Sequence, residues 1–373
     1  MTEHKDVVIV GAGPAGVGIA ATLRHIGVEN FVLIDRYEVG ASLQRWPVET
    51  RFITPSFFSN PFGQIDLNAV TPDSSPALSS GMEHLDGKTY AGYLREVLDA
   101  HAIETLTSTH IVDVSLNRQG RFRLLSANGE RWETPVLIWA TGEYQFPDMQ
   151  AFEGADLCCH YCQVNSWKDF KPDNYIVIGG YESAIDAALN LLEQGSQVRL
   201  LTRSAPWANY HIQDPSVSLS PYTRQRLKNA MDNPNLEIYE NADITSVLKT
   251  SNPDSLYRVN TADGRAWCTH QRPILGTGFI CGGGACQIAP FFDWGSEGQP
   301  LLTEEDCSTR FPGLYLVGPQ VRHDQRIFCF IYKFRERFSI VAQAVARQLN
   351  IPLLKQVWQV PDDECCKDES CGC

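Results

Sequence analysis

Residues 6–35 read DVVIVGAGPAGVGIAATLRHIGVENFVLID. The first five are a continuous apolar run, and the next six carry Gly11, Gly13 and Gly16. A stretch of helical period follows to Gly27, and residues 31–35 (FVLID) are a second apolar run that ends on an acid. This is strand, glycine turn, helix, strand. In such a unit the glycines let the backbone turn tightly and approach a pyrophosphate. The orphan N–H groups and positive end of the following helix meet its charge. Asp35 stands where a carboxylate accepts hydrogen bonds from ribose hydroxyls and repels a ribose phosphate, so this turn suits FAD or NAD over NADP.

The same unit recurs at residues 175–203. An apolar run (YIVI) precedes Gly179-Gly180-Tyr181-Glu182-Ser183-Ala184, a helix-like stretch follows, and residues 198–202 lead to Arg203. The distance from first glycine to charged strand-end residue is 24 positions in both copies, which a chance glycine cluster would not reproduce. A guanidinium at the second strand end suits the 2′-phosphate of NADPH through a charge-assisted fork. Tyr181 replaces the middle glycine and Ala184 the last, which loosens the fingerprint. Each unit is followed by an echo: hairpins around Asn128-Gly129 and Asp263-Gly264, each leading to a Thr-Gly turn, at Gly142 and at Gly278. The late apolar strand at residues 314–317 and the helical stretch at 334–349 need a sheet to join. The economical solution returns them to the first unit.

The expected fold is therefore α/β with two Rossmann-like three-layer domains, a discontinuous FAD domain and an inserted NAD(P)H domain. The boundaries are 1–150 for the first part of the FAD-binding domain, 151–280 for the inserted NADPH-binding domain, 281–355 for the FAD-domain return, and 356–373 for a cysteine-rich tail expected to be flexible. Residues 51–85 lack a clean period and read as a long irregular loop.

At 373 residues, 43% hydrophobic and 20% charged, the chain has globular composition. Its net charge of −13 and lack of a basic run argue against nucleic acid as a partner. The opening MTEHKD has no basic segment before an apolar stretch that glycines interrupt, so no signal peptide is expected. No apolar window reaches bilayer-spanning length. A soluble, cytoplasmic protein without a membrane partner is the expectation, with a homo-oligomer as its assembly. The 12 cysteines are many for a reducing compartment and must be placed one by one.

With two dinucleotide turns of unlike charge, the chain resembles the two-dinucleotide-binding flavoproteins of the thioredoxin reductase and flavin monooxygenase superfamily over residues 5–350. It is most similar to the bacillithiol-disulfide reductase branch. That likeness rests on ATGEYQFP at 140–147, EGAD at 153–156, His160-Tyr161 and GGYESAIDAAL at 179–189. The resemblance implies FAD at Gly11, Gly13, Pro14, Ala15, Gly16, Asp35, Gly142 and Gly318, and NADPH at Gly179, Gly180, Ser183 and Arg203. It also implies that the last helix points its N-terminus at the flavin pyrimidine, with Lys333 or Arg335 assisting. The sequence departs from its relatives in three ways. Ala15 stands where the branch has a cysteine, Gly318-Pro319 stands where Gly-Asp is common, and the monooxygenase signature is displaced, with Val164 at its aromatic position.

Cys158-Cys159-His160-Tyr161-Cys162 lies in the segment where thioredoxin reductases carry a redox CxxC. A Cys159–Cys162 dithiol, with His160 favouring the attacking thiolate, is the candidate catalytic group. In the tail, Cys365, Cys366, Cys371 and Cys373 could shuttle electrons or bind a soft metal ion. Cys268, Cys281, Cys286, Cys307 and Cys329 are expected to be mostly buried and inert. The expected activity passes electrons from NADPH through flavin to a small-molecule or small-protein disulfide or another thiophilic acceptor. A flavin-dependent monooxygenase and a non-enzymatic redox or metal-binding flavoprotein are the alternatives.

Overall fold

A computed structural model describes residues 1–57, 64–209, 214–252 and 255–358. The tail cysteines Cys365, Cys366, Cys371 and Cys373, with the metal role expected of them, lie outside the described residues. The chain divides into two compact units. One comprises Met1–Gln44, Pro55–Gln145 and the return that starts at Cys281; the other comprises Arg45–Thr54 and Phe146–Ile280.

In the first unit, Val7–Val10 sits inside a five-stranded sheet, ordered Leu314–Leu316, Val136–Trp139, Val7–Val10, Phe31–Ile34, Thr105–Leu106. Every pairing is parallel. The runs VVIV, FVLI and VLIW are buried along their whole length. That explains why they read as continuous rather than alternating: a parallel sheet is covered on both faces. Helices Pro14–Ile26, Gly87–Ala100 and Ile331–Gln348 belong to this unit. The first and last pack so closely that a Cβ on Gly18 would stand 2.1 Å from the Phe338 ring. The return of the late strand and helix to the first unit is thus observed.

The hairpin around Gly129 becomes Phe122–Ser126 and Arg131–Thr134 within a four-stranded sheet whose edges are Thr2–His4 and Ile111–Leu116. The polar opening residues of the chain gave no sign of Thr2–His4, whose three residues are exposed and held by parallel pairing to Arg131, Trp132 and Glu133.

The second unit repeats the plan. Its parallel sheet is ordered Leu236–Tyr239, Gln197–Leu201, Asn174–Ile178, Ile274–Leu275, Cys159–His160. Ile244–Lys249, Tyr257–Thr261 and Ala266–Thr269 form an antiparallel three-stranded sheet. Helix Glu182–Glu193 packs into the core formed by Tyr161, Trp167, Val177, Leu200 and Ile274. Residues 45–54 belong with this unit for a local reason. The Glu49 carboxylate accepts hydrogen bonds from Ser166 Oγ at 2.7 Å and Trp167 N at 2.9 Å, and Tyr161 Oη, 2.5 Å from Thr50 Oγ1, donates to Asp186.

Among its described residues, the irregular stretch after residue 51 contains one short helix, Pro76–Ser80, capped by Ser75. Its described part is ordered by buried polar groups. Arg335 donates to the carbonyl oxygens of Asp66 and Ala69 at 2.6 and 2.7 Å, and Tyr93 Oη accepts from Val70 N. Arg335 thus binds the protein's own backbone through one guanidinium nitrogen, and Lys333 donates to Ile327 O at 3.3 Å. No helix among the described residues is long and apolar enough to cross a membrane.

Candidate functional site

The first glycine turn is fixed by close approaches that only glycine allows. Gly11 has φ +108, and a Cβ there would meet Ala140 O at 2.4 Å. One on Gly16 would meet Gly11 O at 1.7 Å. Gly13 differs: its backbone is extended and a Cβ would meet nothing within 4 Å. The space before Gly13 is therefore open to a ligand. Pro14 starts the helix with its φ preset and no N–H to leave unpaired. Gly13 offers no side-chain cap, so the first-turn N–H groups of Ala15 and Gly16 face that space.

Asp35 does more than the sequence suggests. Its carboxylate accepts from Ala12 N at 2.7 Å and Tyr37 N at 2.8 Å, locking the turn to the neighbouring strand end.

The Thr141-Gly142 turn follows strand Val136–Trp139. Gly142 has φ +64, and the carbonyl of Gly142 accepts from Gln320 Nε2 at 3.0 Å. Gly318, φ +106, leaves room for Ala15, whose Cβ would lie 2.9 Å from any Cβ placed there. Among the described residues of this unit, five buried polar atoms have no hydrogen-bond partner, Arg24 Nε, Arg36 Nε, Thr105 Oγ1, Thr141 Oγ1 and Arg335 Nε, and Thr141 Oγ1 belongs to this turn. Buried orphans of this kind are expected where a polar ligand completes the bonding. The residues present therefore fit an FAD-like dinucleotide.

Glu143, which the sequence reading passed over, follows that turn directly. Burial pushes its carboxyl up to about 7, opposed only by the nearby Arg322. Its position next to Thr141-Gly142 was the available signal.

In the second turn Gly179 has φ +131, and a Cβ on Gly180 would stand 2.0 Å from Thr202 Oγ1. Ala184 in place of a third glycine does not loosen the packing. The close approach has moved to Gly276, where a Cβ would lie 2.7 Å from the backbone and Cβ of Ala184. Tyr181 is the exposed N-cap and gives no side-chain cap, leaving first-turn N–H groups for an anion; Ser183 lies in that turn. The Glu182 carboxylate is turned to the next helix, accepting from Ser220 N at 2.6 Å and from Thr223 Oγ1. Burial raises its pKa. Arg203 is exposed beyond the end of strand Gln197–Leu201. The set fits a phosphate-bearing dinucleotide.

Cys159 and His160 form the edge strand of the second sheet, and Cys162 lies in the following 3-10 turn. His160 Nε2 is 2.9 Å from Gly278 O, a pure acceptor, so Nε2 carries the proton and Nδ1 is the acceptor. Nδ1 receives Cys162 N at 3.2 Å and lies 3.1 Å from Cys162 Sγ. The expectation that His160 favours a thiolate needs correction. The imidazole is oriented as a base toward Cys162, but burial lowers its own pKa and raises that of Cys162 to about 11. Cys159 is also raised by burial, and Cys158, wholly buried, to about 12. The resting state is thus neutral thiol and neutral imidazole.

The remaining cysteines are less uniform than expected. Cys268 and Cys286 are exposed, and Cys281, Cys307 and Cys329 are half-buried.

Residues 8–318 match the family described as pyridine nucleotide-disulphide oxidoreductase. Among curated proteins, the bacilliredoxin reductase Bdr of Bacillus subtilis is 27% identical over 54% of this chain and 57% of its own length. A ferredoxin–NADP reductase of Thermus thermophilus is 24% identical over 95% of both chains. Of the first two curated relatives, this chain spans only 57% and 34% of their own lengths. The solved structure of the bacillithiol disulfide reductase Bdr (YpdA) from Staphylococcus aureus superposes with a TM-score of 0.73, covering 93% of this chain and 99% of that one. At 21% identity that likeness is one of fold. With a match whose bounds, residues 8 and 318, take in both glycine turns, the chain belongs to the pyridine nucleotide-disulphide oxidoreductase family, the two-dinucleotide-binding flavoproteins, whose cofactors are FAD and NADPH.

Proposed function

We propose that this protein takes hydride from NADPH onto FAD and delivers the electrons to a disulfide, most simply a small-molecule one. The observation that carries this reading is the pair of glycine cradles with opposite charge at their strand ends, Asp35 after the first and Arg203 after the second. Similarity to proteins named as bacilliredoxin and bacillithiol-disulfide reductases supports the disulfide acceptor.

Bound FAD would supply the hydride-accepting and electron-releasing chemistry. Gly11, Gly13, Pro14, Ala15 and Gly16 would hold its pyrophosphate, Asp35 its ribose, and Gly142 and Gly318 would border it. Gly179, Gly180 and Ser183 would hold the NADPH pyrophosphate, and Arg203 its 2′-phosphate. Cys159 and Cys162 are assigned as the first dithiol. As that pair is oxidised by the external disulfide, the protons of Cys159 and Cys162 pass to the two released thiols, that of Cys162 by way of His160 Nδ1, which lies 3.1 Å from its Sγ.

The test is anaerobic NADPH titration of the purified yellow protein, wild type against Cys159→Ser. Electron uptake beyond that of the flavin in the wild type, lost in the variant, is expected. Equal uptake in both removes Cys159 and Cys162 from the pathway, and a flavin that NADPH does not bleach overturns the NADPH-to-flavin reading itself.

A further inference from the structure

Cys281-Gly282-Gly283-Gly284-Ala285-Cys286 opens the return to the first unit. Gly282 has φ +69, and Cys286 N donates to Gly282 O at 2.9 Å, so one closed turn draws the two ends of the segment together. A Cβ on Gly282 would collide with Gly298 O at 2.6 Å and the Trp294 ring at 2.7 Å, which pins the turn to the hairpin Asp293–Trp294 and Pro300–Leu301. Both cysteines reach the surface, Cys286 exposed and Cys281 half-buried. Burial, with the neighbouring Cys281 thiol, raises the pKa of Cys286.

The other side of the same segment is built onto the Thr141-Gly142 turn. Trp139 Nε1 donates to Gly284 O at 2.8 Å, and Ala285 N donates to Gln320 Oε1 at 3.2 Å, while Gln320 Nε2 holds Gly142 O. A Cβ on Gly284 would stand 2.3 Å from Gly142 O and 2.5 Å from Thr141 Oγ1, the buried hydroxyl without a partner. The glycine run thus lets a surface cysteine pair sit on the turn assigned above to the flavin.

We propose that Cys281 and Cys286 are a second redox pair, which closes to a disulfide on meeting an external small-molecule disulfide and is reopened at the expense of NADPH. The first part stands alone; the reopening rests on the proposed NADPH-to-flavin activity. Cys286, the more exposed, attacks one sulfur of the external disulfide as its thiolate and releases the other as a thiolate. Cys281 then attacks Cys286 Sγ, releasing the second thiolate. The two protons lost by the cysteines go to the two released thiols. Reopening consumes one NADPH and one solvent proton: the hydride's electron pair breaks the Cys281–Cys286 bond, and two thiols and NADP⁺ result.

The test uses the full-length yellow protein, incubated anaerobically with oxidised glutathione and then NADPH. Free thiols are alkylated at each stage and the peptide spanning both cysteines is weighed. Expected results are loss of alkylation at Cys281 and Cys286 together after oxidised glutathione, and its return after NADPH. In Cys281→Ser, a glutathione adduct should persist on Cys286. In both Cys281→Ser and Cys286→Ser, glutathione-disulfide reduction should fall at least about tenfold while flavin bleaching by NADPH keeps its rate, because exchange requires both sulfurs. Full alkylation of both residues after oxidised glutathione would overturn the pair. So would a disulfide that stays closed after NADPH has bleached the flavin. If NADPH fails to bleach the flavin, the electron-donor reading is lost, while closure by oxidised glutathione still decides the thiol pair.

Discussion

Gly13 and Gly16 separate ligand binding from folding within one turn. A Cβ on Gly13 meets nothing within 4 Å and the backbone there is extended, so Gly13→Ala costs the protein itself at most about 1 kcal/mol, the loss of a good N-cap residue. The added methyl occupies the space before the first-turn N–H groups of Ala15 and Gly16. If two charge-assisted hydrogen bonds to a pyrophosphate are lost, at about 1.5–3 kcal/mol each, FAD affinity falls by roughly 10² to 10⁴. A Cβ on Gly16 would lie 1.7 Å from Gly11 O, where ordinary contact begins at 3.4 Å, so the helix must retreat by about 1.7 Å. Overpacking of this kind costs about 1–3 kcal/mol or more, and Gly16→Ala loses stability as well as flavin. The assay is the flavin-to-protein absorbance ratio after purification, with urea unfolding of flavin-stripped protein beside it. Gly13→Ala should be pale and within about 1 kcal/mol of the stripped wild type; Gly16→Ala should be pale and less stable than that. A fully yellow Gly13→Ala would refute the placement of the pyrophosphate.

Arg203→Ala should raise KM for NADPH roughly ten- to a hundredfold, the worth of one charge-assisted contact, and leave KM for NADH unchanged; equal effects on both nucleotides would show that Arg203 does not read the 2′-phosphate. Gly276→Ala pushes a methyl to 2.7 Å from Ala184 and should cost about 1–3 kcal/mol, seen as a lowered urea midpoint; an unchanged midpoint would mean that the helix is not held there. Glu143 gives a pH signature. Its carboxyl is raised from 4.5 to about 7, so the folded state keeps a proton that the unfolded state loses, and its contribution is full below 4.5, declines as pH rises to about 7 and is flat above. Glu143→Gln should flatten that decline in urea midpoints measured from about pH 5 to about pH 8; an identical slope in both proteins would contradict the raised pKa of Glu143.

Elements governed by local rules were legible in the sequence. The runs at residues 7–10, 31–34 and 136–139 declared a buried parallel sheet because covered strands need no polar face. The glycine positions declared the cradles because only glycine tolerates those approaches. Features that depend on partners distant in sequence were not legible. Thr2–His4 is a strand only because Arg131–Thr134 lies beside it. Ala184 looked like a defect because its compensation, Gly276, lies 92 positions away. The orientation of His160 is set by Gly278 O, 118 residues distant, and the CxxC spacing carries no information about burial. Nothing near Arg335 in sequence announces that it binds the carbonyl oxygens of Asp66 and Ala69, in the middle of an irregular stretch more than 260 residues away.

The most direct measurement is the absorption spectrum of the purified full-length protein, recorded before and after anaerobic addition of NADPH. A stoichiometric flavin band that NADPH bleaches is the predicted result. A colourless protein that added FAD cannot reconstitute, or a flavin band indifferent to NADPH, would contradict the pairing of the two cradles.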